Sequence, residues 1–402
     1  MKHLLNSSGR IEGINYLDYS PISVAFENGI ITKVERLNKL ADNNSPLYIA
    51  PGLIDIQVNG YSSVSFSLEV GDKTSASARD LTVADVKKVT KALWKEGVTT
   101  YFPTLTTNSQ DLLLRNIAIL ARAKDDPSLL GSIPGFHLEG PYISAINGYR
   151  GAHPEEFVRK PDWNEFLELF NTAERKILLV TLAPEIDGAF EFIRKCREMG
   201  IVISLGHHNG SAEIIKQVIG HGAELATHLG NGCANLINRH LNPIWPQLAD
   251  DRLMISIICD GFHLPPEILQ VFYKVKRAEN IIIISDITSY AGLPPGQYKI
   301  KTGETIEKTA DGNLRFSGQE GGLYGSASPL SKGVGHIMKV TGCSLDKAIQ
   351  MTTINPARLH NLTDRGKLEP GKRADIILFT MNDFNMKIRK TVVEGKIVFQ
   401  LL

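Results

Sequence analysis

Eight short apolar segments in the middle of the chain constrain its fold more than any other feature. They are rich in β-branched residues and almost continuously apolar, which is typical of strands buried on both faces. Amphipathic helical patterns separate several of them. The eight segments are residues 53–58, 97–102, 133–139, 177–183, 201–206, 223–228, 253–259 and 281–286. Eight strands with helical crossovers predict an α/β fold, a (β/α)8 TIM-type barrel.

The two ends of the chain carry a different pattern. Residues 23–26 and 30–35 are short strand patterns around an Asn-Gly turn, and residues 374–379 and 389–399 repeat this style. We therefore expect the N- and C-terminal ends to pair into one small β-sandwich module. The predicted domains are the small module (1–50 plus 370–402) and the (β/α)8 barrel (51–369).

Helices and loops are expected around this framework. The stretch 229–250 is irregular and contains Asn-Pro and Trp-Pro pairs, so we predict a long functional loop. Residues 296–322 are rich in glycine and polar residues, which indicates a hairpin excursion. The clearest helical patterns are residues 81–96, 110–124, 189–199, 211–219, 266–277, 328–340 and 344–353.

Charge and cysteine usage limit the classes of partner. The net charge is +1 over 402 residues, so no broad attraction to nucleic acid or anionic lipid is expected. No segment approaches the roughly 18 apolar residues of a membrane span, and residues 1–7 lack an apolar core of signal-peptide length. The four cysteines are scattered without a Cys-x-x-Cys pair, which favours reduced thiols in a cytoplasmic protein.

Four of the apolar segments end at an ionisable residue. Glu139 and His228 are the last residues of two segments, His207 follows a third, and Asp286 ends the last. The C-terminal strand ends of such a barrel face one cavity. A carboxylate and two imidazoles suit one divalent ion such as Zn²⁺ with an open position for water. The ion lowers the pKa of that water, and a further carboxylate can pass its proton to a leaving nitrogen. The pattern predicts metal-assisted hydrolysis.

Each residue taken alone also has a structural explanation. A single histidine at a strand end is more often a hydrogen-bonded structural or surface residue. Glu139 could cap the turn that follows it, and Asp286 could be a helix N-cap. Their occurrence together at equivalent strand ends is what favours the metal site.

Several motifs occur along the chain in an order that resembles a known family. They are PGLIDIQVNG (51–60), HLEGPYIS (137–144), RGAH (150–153), LGH (205–207), THL (227–229), DGFH (260–263), SD (285–286), NPAR (355–358) and GKLEPGKRAD (366–375). The set resembles the amidohydrolase superfamily and, within it, the N-acetylglucosamine-6-phosphate deacetylases. The resemblance covers nearly the whole chain.

The resemblance implies an activity and a single metal ion. The implied reaction is hydrolysis of the acetamide of an N-acetylated amino sugar, converting N-acetylglucosamine 6-phosphate to glucosamine 6-phosphate and acetate. Many amidohydrolases carry His-x-His on the first strand and bind two metals, whereas this chain has Gln57 and Asn59 there. Neutral amides are poor ligands for a transition metal. One divalent ion per chain is therefore implied, Zn²⁺ with Fe²⁺ as an alternative, held by Glu139, His207 and His228.

The resemblance also implies roles for further residues. Asp286 would act as base toward the water and then as acid toward the departing amine. His153 would polarise the carbonyl, and His263 would contact the sugar or its phosphate. Either histidine could instead be structural or exposed. Asn231 and Gly232 are expected to line the sugar pocket, because their loop follows a metal-ligand strand. A homodimer is implied by the resemblance alone.

The loop after His228 departs from the family pattern. The family has an arginine there that helps to bind phosphate, and Arg239 is a candidate substitute because a guanidinium matches phosphate geometry. His240 could add to it. Arg239 could equally pair with a surface carboxylate. Whether the substrate carries a 6-phosphate is therefore left open by the sequence.

Two other functions stay open. An amidohydrolase could act on an unphosphorylated or epimeric N-acetylhexosamine, or on another amide. A non-catalytic metal-binding barrel is the third possibility. Asp286 argues against the last, because a structural metal needs no free carboxylate beside an open position.

Overall fold

The computed structural model describes residues 8–40, 46–68, 79–300, 303–318 and 322–401. The expectation for residues 1–7 lies outside these ranges, as do residues 301–302 and 319–321 of the predicted hairpin excursion.

The strands, in chain order, are β1 (Ser8–Asn15), β2 (Pro21–Glu27), β3 (Ile30–Arg36), β4 (Tyr48–Pro51), β5 (Leu53–Val58), β6 (Gly60–Tyr61), β7 (Val64–Ser65), β8 (Val98–Thr106), β9 (Phe136–Glu139), β10 (Ile177–Leu182), β11 (Val202–Leu205), β12 (Ala223–Ala226), β13 (Met254–Ile258), β14 (Ile281–Ile284), β15 (Gly296–Lys299), β16 (Thr305–Lys308), β17 (Leu314–Phe316), β18 (Ile376–Asn382), β19 (Asn385–Val393) and β20 (Lys396–Gln400). The α-helices are α1 (Val83–Lys95), α2 (Gln110–Lys124), α3 (Trp163–Thr172), α4 (Ala189–Glu198), α5 (Ala212–Gly220), α6 (Ile244–Ala249), α7 (Pro266–Lys276), α8 (Leu330–Thr341), α9 (Leu345–Thr352) and α10 (Ile354–Leu359).

Eight parallel strands form the barrel. Their order is β5-β8-β9-β10-β11-β12-β13-β14, and a parallel bridge between Val58 and Ile287 joins the first strand to the end of the last. Every residue of β5, β9, β13 and β14 is buried. The predicted (β/α)8 fold is confirmed by this strand order, and the burial of both faces explains why the strands are mostly apolar.

Two apolar clusters use the alternating faces of these strands. Leu179 belongs to a cluster that also contains Phe102, Val202 and side chains of α10, whereas its neighbour Val180 packs in the cluster that includes the barrel helices. Because successive side chains of a strand point to opposite faces, the first cluster fills the barrel interior. The strands also carry buried polar side chains: His137, two residues before Glu139, hydrogen-bonds to Thr181 at 2.8 Å.

The helices follow their capping signals. Thr82 and Asp85 form a capping box that begins α1, and the Ser109 hydroxyl caps α2. Helix α3 was not predicted. Helix α6 lies inside the stretch expected to be a loop, since its six residues include Pro246 and are too short for a periodic apolar pattern.

The chain ends build one sheet, in the order β20-β19-β18-β4-β1-β2-β3. The C-terminal β18 pairs antiparallel with β4, and β4 pairs parallel with β1. Val24, Ile49 and Ile376 are fully buried in its core. The predicted small terminal module is confirmed, while the exact domain boundaries stay a prediction.

The excursion after the last barrel strand is a three-stranded antiparallel sheet, β15-β16-β17, where one hairpin was expected. Across the described parts of the chain, no helix combines the length and the apolar character that crossing a membrane requires.

Candidate active site

Three buried side chains converge at the mouth of the barrel. Glu139 is the last residue of β9, His207 lies two residues beyond β11, and His228 two residues beyond β12. They are 3%, 7% and 3% exposed. One ligand atom of each lies within 4.8 Å of those of the other two. The tertiary structure therefore brings together the three residues that the sequence suggested as ligands.

The spacing of these atoms suits a single ion. Glu139 Oε1 lies 3.0 Å from His228 Nε2 and 3.3 Å from His207 Nε2. Two ligands about 2.0–2.2 Å from one tetrahedral zinc ion stand roughly 3.3–3.5 Å apart. The donor set, one carboxylate oxygen and two imidazole nitrogens, is also one that zinc accepts. The residues present fit a divalent metal ion.

The backbone at the strand ends is unusual. His207, His228 and Asp286 have φ angles of 51°, 33° and 48°. Left-handed backbone is uncommon for residues other than glycine and collects at functional sites, where the surrounding structure holds it. At each of these three residues the chain changes direction directly after a barrel strand. The sequence pattern did not predict this left-handed backbone.

His207 is oriented by the loop that follows Glu139. Its Nδ1 lies 3.1 Å from the Tyr149 carbonyl oxygen, so Nδ1–H donates there and Nε2 is left to face Glu139. A Cβ atom on Gly151 would lie 3.0 Å from the His207 ring. The loop thus fits closely against this imidazole.

The two amides of the first strand link the carboxylates. Gln57 Nε2 donates to Glu139 Oε1 at 3.0 Å and to Asp286 Oδ1 at 3.1 Å. Asn59 Nδ2 donates to the same Asp286 oxygen at 2.7 Å. Residues that replace the His-x-His pair therefore hold the two carboxylates side by side.

The two carboxyl groups have different affinities for protons. Burial and the charge of Glu139 raise the pKa of Asp286 to about 6. Burial also opposes ionisation of Glu139, but hydrogen bonds from His207 and His228 overcome it and lower the pKa of Glu139 well below its ordinary value. Glu139 is thus ionised, as a metal ligand has to be, whereas Asp286 is the carboxyl group that can gain and lose a proton near neutral pH.

His153 reaches the same cavity from the loop after β9. Its ring centroid lies 4.3 Å from that of His207, and its Nδ1 lies 2.8 Å from Thr107 Oγ1. Burial, with the neighbouring His207, lowers the pKa of His153 to about 3, so the ring is neutral. The structure brings His153 to the metal ligands.

His263 is fixed by a carboxylate. Its Nδ1 lies 2.8 Å from Asp260 Oδ2, and Asp260 Oδ1 accepts the backbone N–H groups of Phe262 and His263. Burial opposes ionisation of Asp260, yet its hydrogen bond with His263 lowers the pKa of this carboxyl. His263 follows β13 and Asp286 follows the adjacent strand β14, so both residues lie at the C-terminal mouth of the barrel.

Asn231 and Gly232 lie next to the ligands. Both line a cleft with His207, Cys233 and Ile244. Asn231 Nδ2 is buried and has no hydrogen-bond partner in the described residues, so it can bind a ligand group. A Cβ on Gly232 would lie 3.0 Å from His228 Cε1 and 3.2 Å from His207 Nδ1.

Arg239 and His240 are not brought to the metal ligands. Both are exposed on the loop between β12 and α6. The Arg239 carbonyl accepts the Trp245 indole N–H at 3.0 Å. Within the described ranges, the Arg239 guanidinium pairs with no carboxylate, so the surface ion pair considered for it does not form there.

A comparison with protein families agrees with this geometry. The amidohydrolase family model matches residues 48–287 and 310–398, most of the chain. The chain belongs to the amidohydrolase family. The predicted membership is confirmed, and this amidohydrolase is an enzyme that hydrolyses a carbon–nitrogen bond.

Individual proteins are similar over nearly the full length. The N-acetylglucosamine-6-phosphate deacetylase of Bos taurus is 31% identical over 363 residues, 88% of this chain and 84% of its own. The N-acetylgalactosamine-6-phosphate deacetylase of Escherichia coli O157:H7 is 26% identical and covers 99% of both chains. The crystal structure of N-acetylglucosamine-6-phosphate deacetylase from Thermotoga maritima superposes with a TM-score of 0.82 at 28% identity, covering 98% of this chain and all of that one.

Three contributors to the site were missed by the sequence analysis. They are the Tyr149 carbonyl, the Asp260 carboxylate and the Thr107 hydroxyl. Asp260 had a signal, since it stands three residues before His263 at the end of a strand. A backbone carbonyl leaves no trace in the sequence, and Thr107 follows a threonine-rich strand in which nothing distinguishes it.

Proposed function

We propose that this amidohydrolase removes the acetyl group of N-acetylglucosamine 6-phosphate, producing glucosamine 6-phosphate and acetate. The observation that carries the proposal is the ligand cluster of Glu139, His207 and His228, with Asp286 held beside it by Gln57. The relatives named N-acetylglucosamine-6-phosphate deacetylases support the substrate.

Glu139, His207 and His228 would hold one divalent ion, Zn²⁺ with Fe²⁺ as the alternative. When bound, such an ion supplies a water of lowered pKa and polarises the carbonyl oxygen. With the ion bound, Glu139 and the Nε2 atoms of both histidines would each donate a lone pair to it.

Asp286 moves the proton in this proposal. Gln57 and Asn59 both donate to its Oδ1, so Oδ2 is the oxygen left to accept a proton from the attacking water. The raised pKa lets Asp286 then release this proton to the amine nitrogen as the amide bond breaks. One carboxyl group would serve both steps.

The remaining residues would bind the substrate. His153 donates a hydrogen bond to the acetyl oxygen, and the charge that develops on that oxygen makes this donor most effective in the transition state. His263, Asn231 and Gly232 would contact the sugar. For the phosphate we keep Arg239, with His240, as the proposed ligand.

A second candidate is the galacto-epimer of the same sugar phosphate. The support is the Escherichia coli relative named N-acetylgalactosamine-6-phosphate deacetylase, which aligns with nearly the whole chain. The divergent loop after His228 is the segment in which the two substrates would be distinguished.

Acetate release tests both candidates. The zinc-loaded enzyme is given N-acetylglucosamine and N-acetylgalactosamine, each with and without a 6-phosphate. We expect the highest kcat/KM for the phosphorylated glucosamine derivative. A preference for the galacto-epimer would favour the second candidate, and no release from any of the four, with one metal bound per chain, would refute deacetylation.

Two further properties belong to the proposal. We infer a homodimer from the resemblance to the deacetylases, and a cytoplasmic location from the free cysteines and the small-molecule substrate. Sedimentation of the purified enzyme tests the first, and cell fractionation tests the second.

A further inference from the structure

Thr107 is the group that hydrogen-bonds to the ring of His153. It follows the last residue of β8, its side chain is 1% exposed, and its Oγ1 lies 2.8 Å from His153 Nδ1. Within the described ranges, His153 Nε2 has no hydrogen-bond partner. One ring nitrogen is thus occupied by the hydroxyl, while the other is available to a substrate.

The protonation of these two nitrogens decides what His153 can do. A neutral imidazole carries one N–H and one lone pair, and the hydrogen bond at one nitrogen selects the state of the other. To polarise a carbonyl oxygen, Nε2 must carry the hydrogen. Nδ1 must then be an acceptor, which a hydroxyl can satisfy and a carboxylate cannot.

The hydrogen bonds of Thr107 favour this arrangement. In the described structure, its Oγ1 makes no hydrogen bond other than the one to His153. If Nδ1–H donated to Oγ1, the buried hydroxyl hydrogen would have no acceptor, and an unsatisfied buried donor is costly. If the hydroxyl donates to Nδ1, both groups are satisfied and Nε2–H is free.

The surroundings hold this pair in place. The Arg150 guanidinium donates to the His153 carbonyl oxygen at 2.6 Å, and the His207 ring lies beside the His153 ring. A Cβ on Gly140, the residue after Glu139, would clash with Thr107 Oγ1. A side chain at Gly140 would displace the hydroxyl.

We infer that Thr107 is a positioning residue that keeps His153 in the tautomer with its hydrogen on Nε2, aimed at the acetyl oxygen. The inference rests on the proposed function, in which His153 polarises that oxygen. The hydroxyl of Thr107, rather than a carboxylate, would then determine which nitrogen of His153 carries the hydrogen.

The test uses Thr107→Val, which keeps the shape and removes the hydroxyl, and Thr107→Ser, which restores it. Thr99→Val is the matched control, because Thr99 is a buried threonine of β8 whose hydroxyl has no partner in the described structure. Imidazole nitrogen shifts are recorded by NMR on zinc-loaded protein labelled with ¹⁵N-histidine, and His153→Gln assigns the signals. kcat and KM for N-acetylglucosamine 6-phosphate are measured on the same preparations.

We expect an unprotonated Nδ1 and a protonated Nε2 at His153 in the wild type and in Thr107→Ser. Thr107→Val should shift the Nδ1 signal, because this nitrogen loses its hydrogen bond, and should lower kcat about three- to tenfold, the effect of one neutral hydrogen bond, with little change in KM. Thr99→Val should do neither, and all forms should bind one zinc ion.

Two results would overturn the inference: a protonated Nδ1 in the wild type, or wild-type signals and kcat in Thr107→Val. The NMR result does not depend on turnover. A wild type that releases no acetate would therefore refute the proposed function, while the tautomer at His153 would still be decided.

Discussion

Asp286 combines the properties of a proton-transferring group at a single residue. Its backbone is left-handed, two side-chain amides bind one of its oxygens, and burial raises its pKa. The neighbouring Glu139 shares the amide of Gln57 but is kept ionised. Two carboxylates of one site are thus separated in role by their environments.

Replacing this group tests its role. Asp286→Asn should retain one metal ion per chain, because the three ligand residues are unchanged, and should lose about 10²- to 10⁴-fold in kcat, the usual contribution of general acid–base catalysis. Metal content by atomic absorption and acetate release are the measurements. Unchanged turnover would contradict the proton role.

A second prediction at the scale of the residue concerns Gly232 and the affinity for the metal ion. Gly232→Ala should weaken metal binding, because the new Cβ would stand 3.0 Å from His228 Cε1 and 3.2 Å from His207 Nδ1. Competition with a chromophoric chelator measures the affinity.

The control is Gly200→Ala. Gly200 also has a positive φ, 76°, but a Cβ there would meet nothing within 4 Å. Both variants carry the cost of left-handed alanine, roughly 1–2 kcal/mol, so only the contact with the imidazoles differs. Equal affinities in the two variants would show that the contact does not matter.

At the scale of the element, β5 places the carboxyl group of Asp55 inside the buried barrel. Asp55 is 0% exposed, and its Oδ1 accepts the backbone N–H groups of Gln57 and Ser285 at 3.3 Å each. Its other oxygen has no partner in the described structure. Burial raises the pKa of Asp55 to about 7.

The raised pKa of Asp55 should make the free energy of unfolding depend on pH. An unfolded Asp ionises near pH 4, so between about pH 4 and 7 the folded state binds more protons and the free energy of unfolding falls as pH rises. Asp55→Asn should remove the pH dependence that this carboxyl group causes. The wild type should lose on the order of a few kcal/mol relative to the variant between pH 4.5 and 7.

Urea unfolding of both proteins, without metal, at the two pH values measures the difference, and comparison of the two proteins cancels the other titrating groups. A difference that is equal at both pH values would show that Asp55 ionises normally in the folded state.

The elements that the sequence predicted well are those whose pattern is local. The ends of the eight barrel strands were predicted within a few residues, and those of α2 exactly. The reason is that the apolar pattern of a buried strand or helix face occurs within a short stretch of consecutive residues. Helix α3 was missed, although its residues Phe166, Leu169 and Phe170 form a buried apolar face. The short α6 was missed because Pro246 interrupts its pattern, and the packing of the loop decides its structure.

At the scale of the whole molecule, the metal site joins strands that are distant in the chain. Glu139 and His228 are 89 residues apart, and Gln57 bridges to Asp286 over 229 residues. A ligand that binds only the folded state adds RT ln(1 + [L]/Kd) to its stability, about 4 kcal/mol at a thousand times Kd.

Removing the metal should therefore lower Tm. A chelator should reduce Tm of the wild type by several degrees, and added Zn²⁺ should restore it. His228→Asn should have a Tm that neither treatment changes, because one ligand is missing. Differential scanning calorimetry with and without zinc measures this, and an equal zinc effect in that variant would place the ion elsewhere.

The sequence by itself determined the barrel, the terminal module and the candidate ligands Glu139, His207 and His228, because strand periodicity places these residues at the ends of parallel strands. Only the tertiary structure decided how they are oriented: the left-handed turns, the amides of Gln57 and Asn59 on the carboxylates, and the Thr107 hydroxyl on His153. These contacts join residues far apart in the chain, and their strength depends on distances of a few tenths of an ångström. Periodicity assigns a side chain to one face of a strand, but it carries no information about which atoms meet across the barrel.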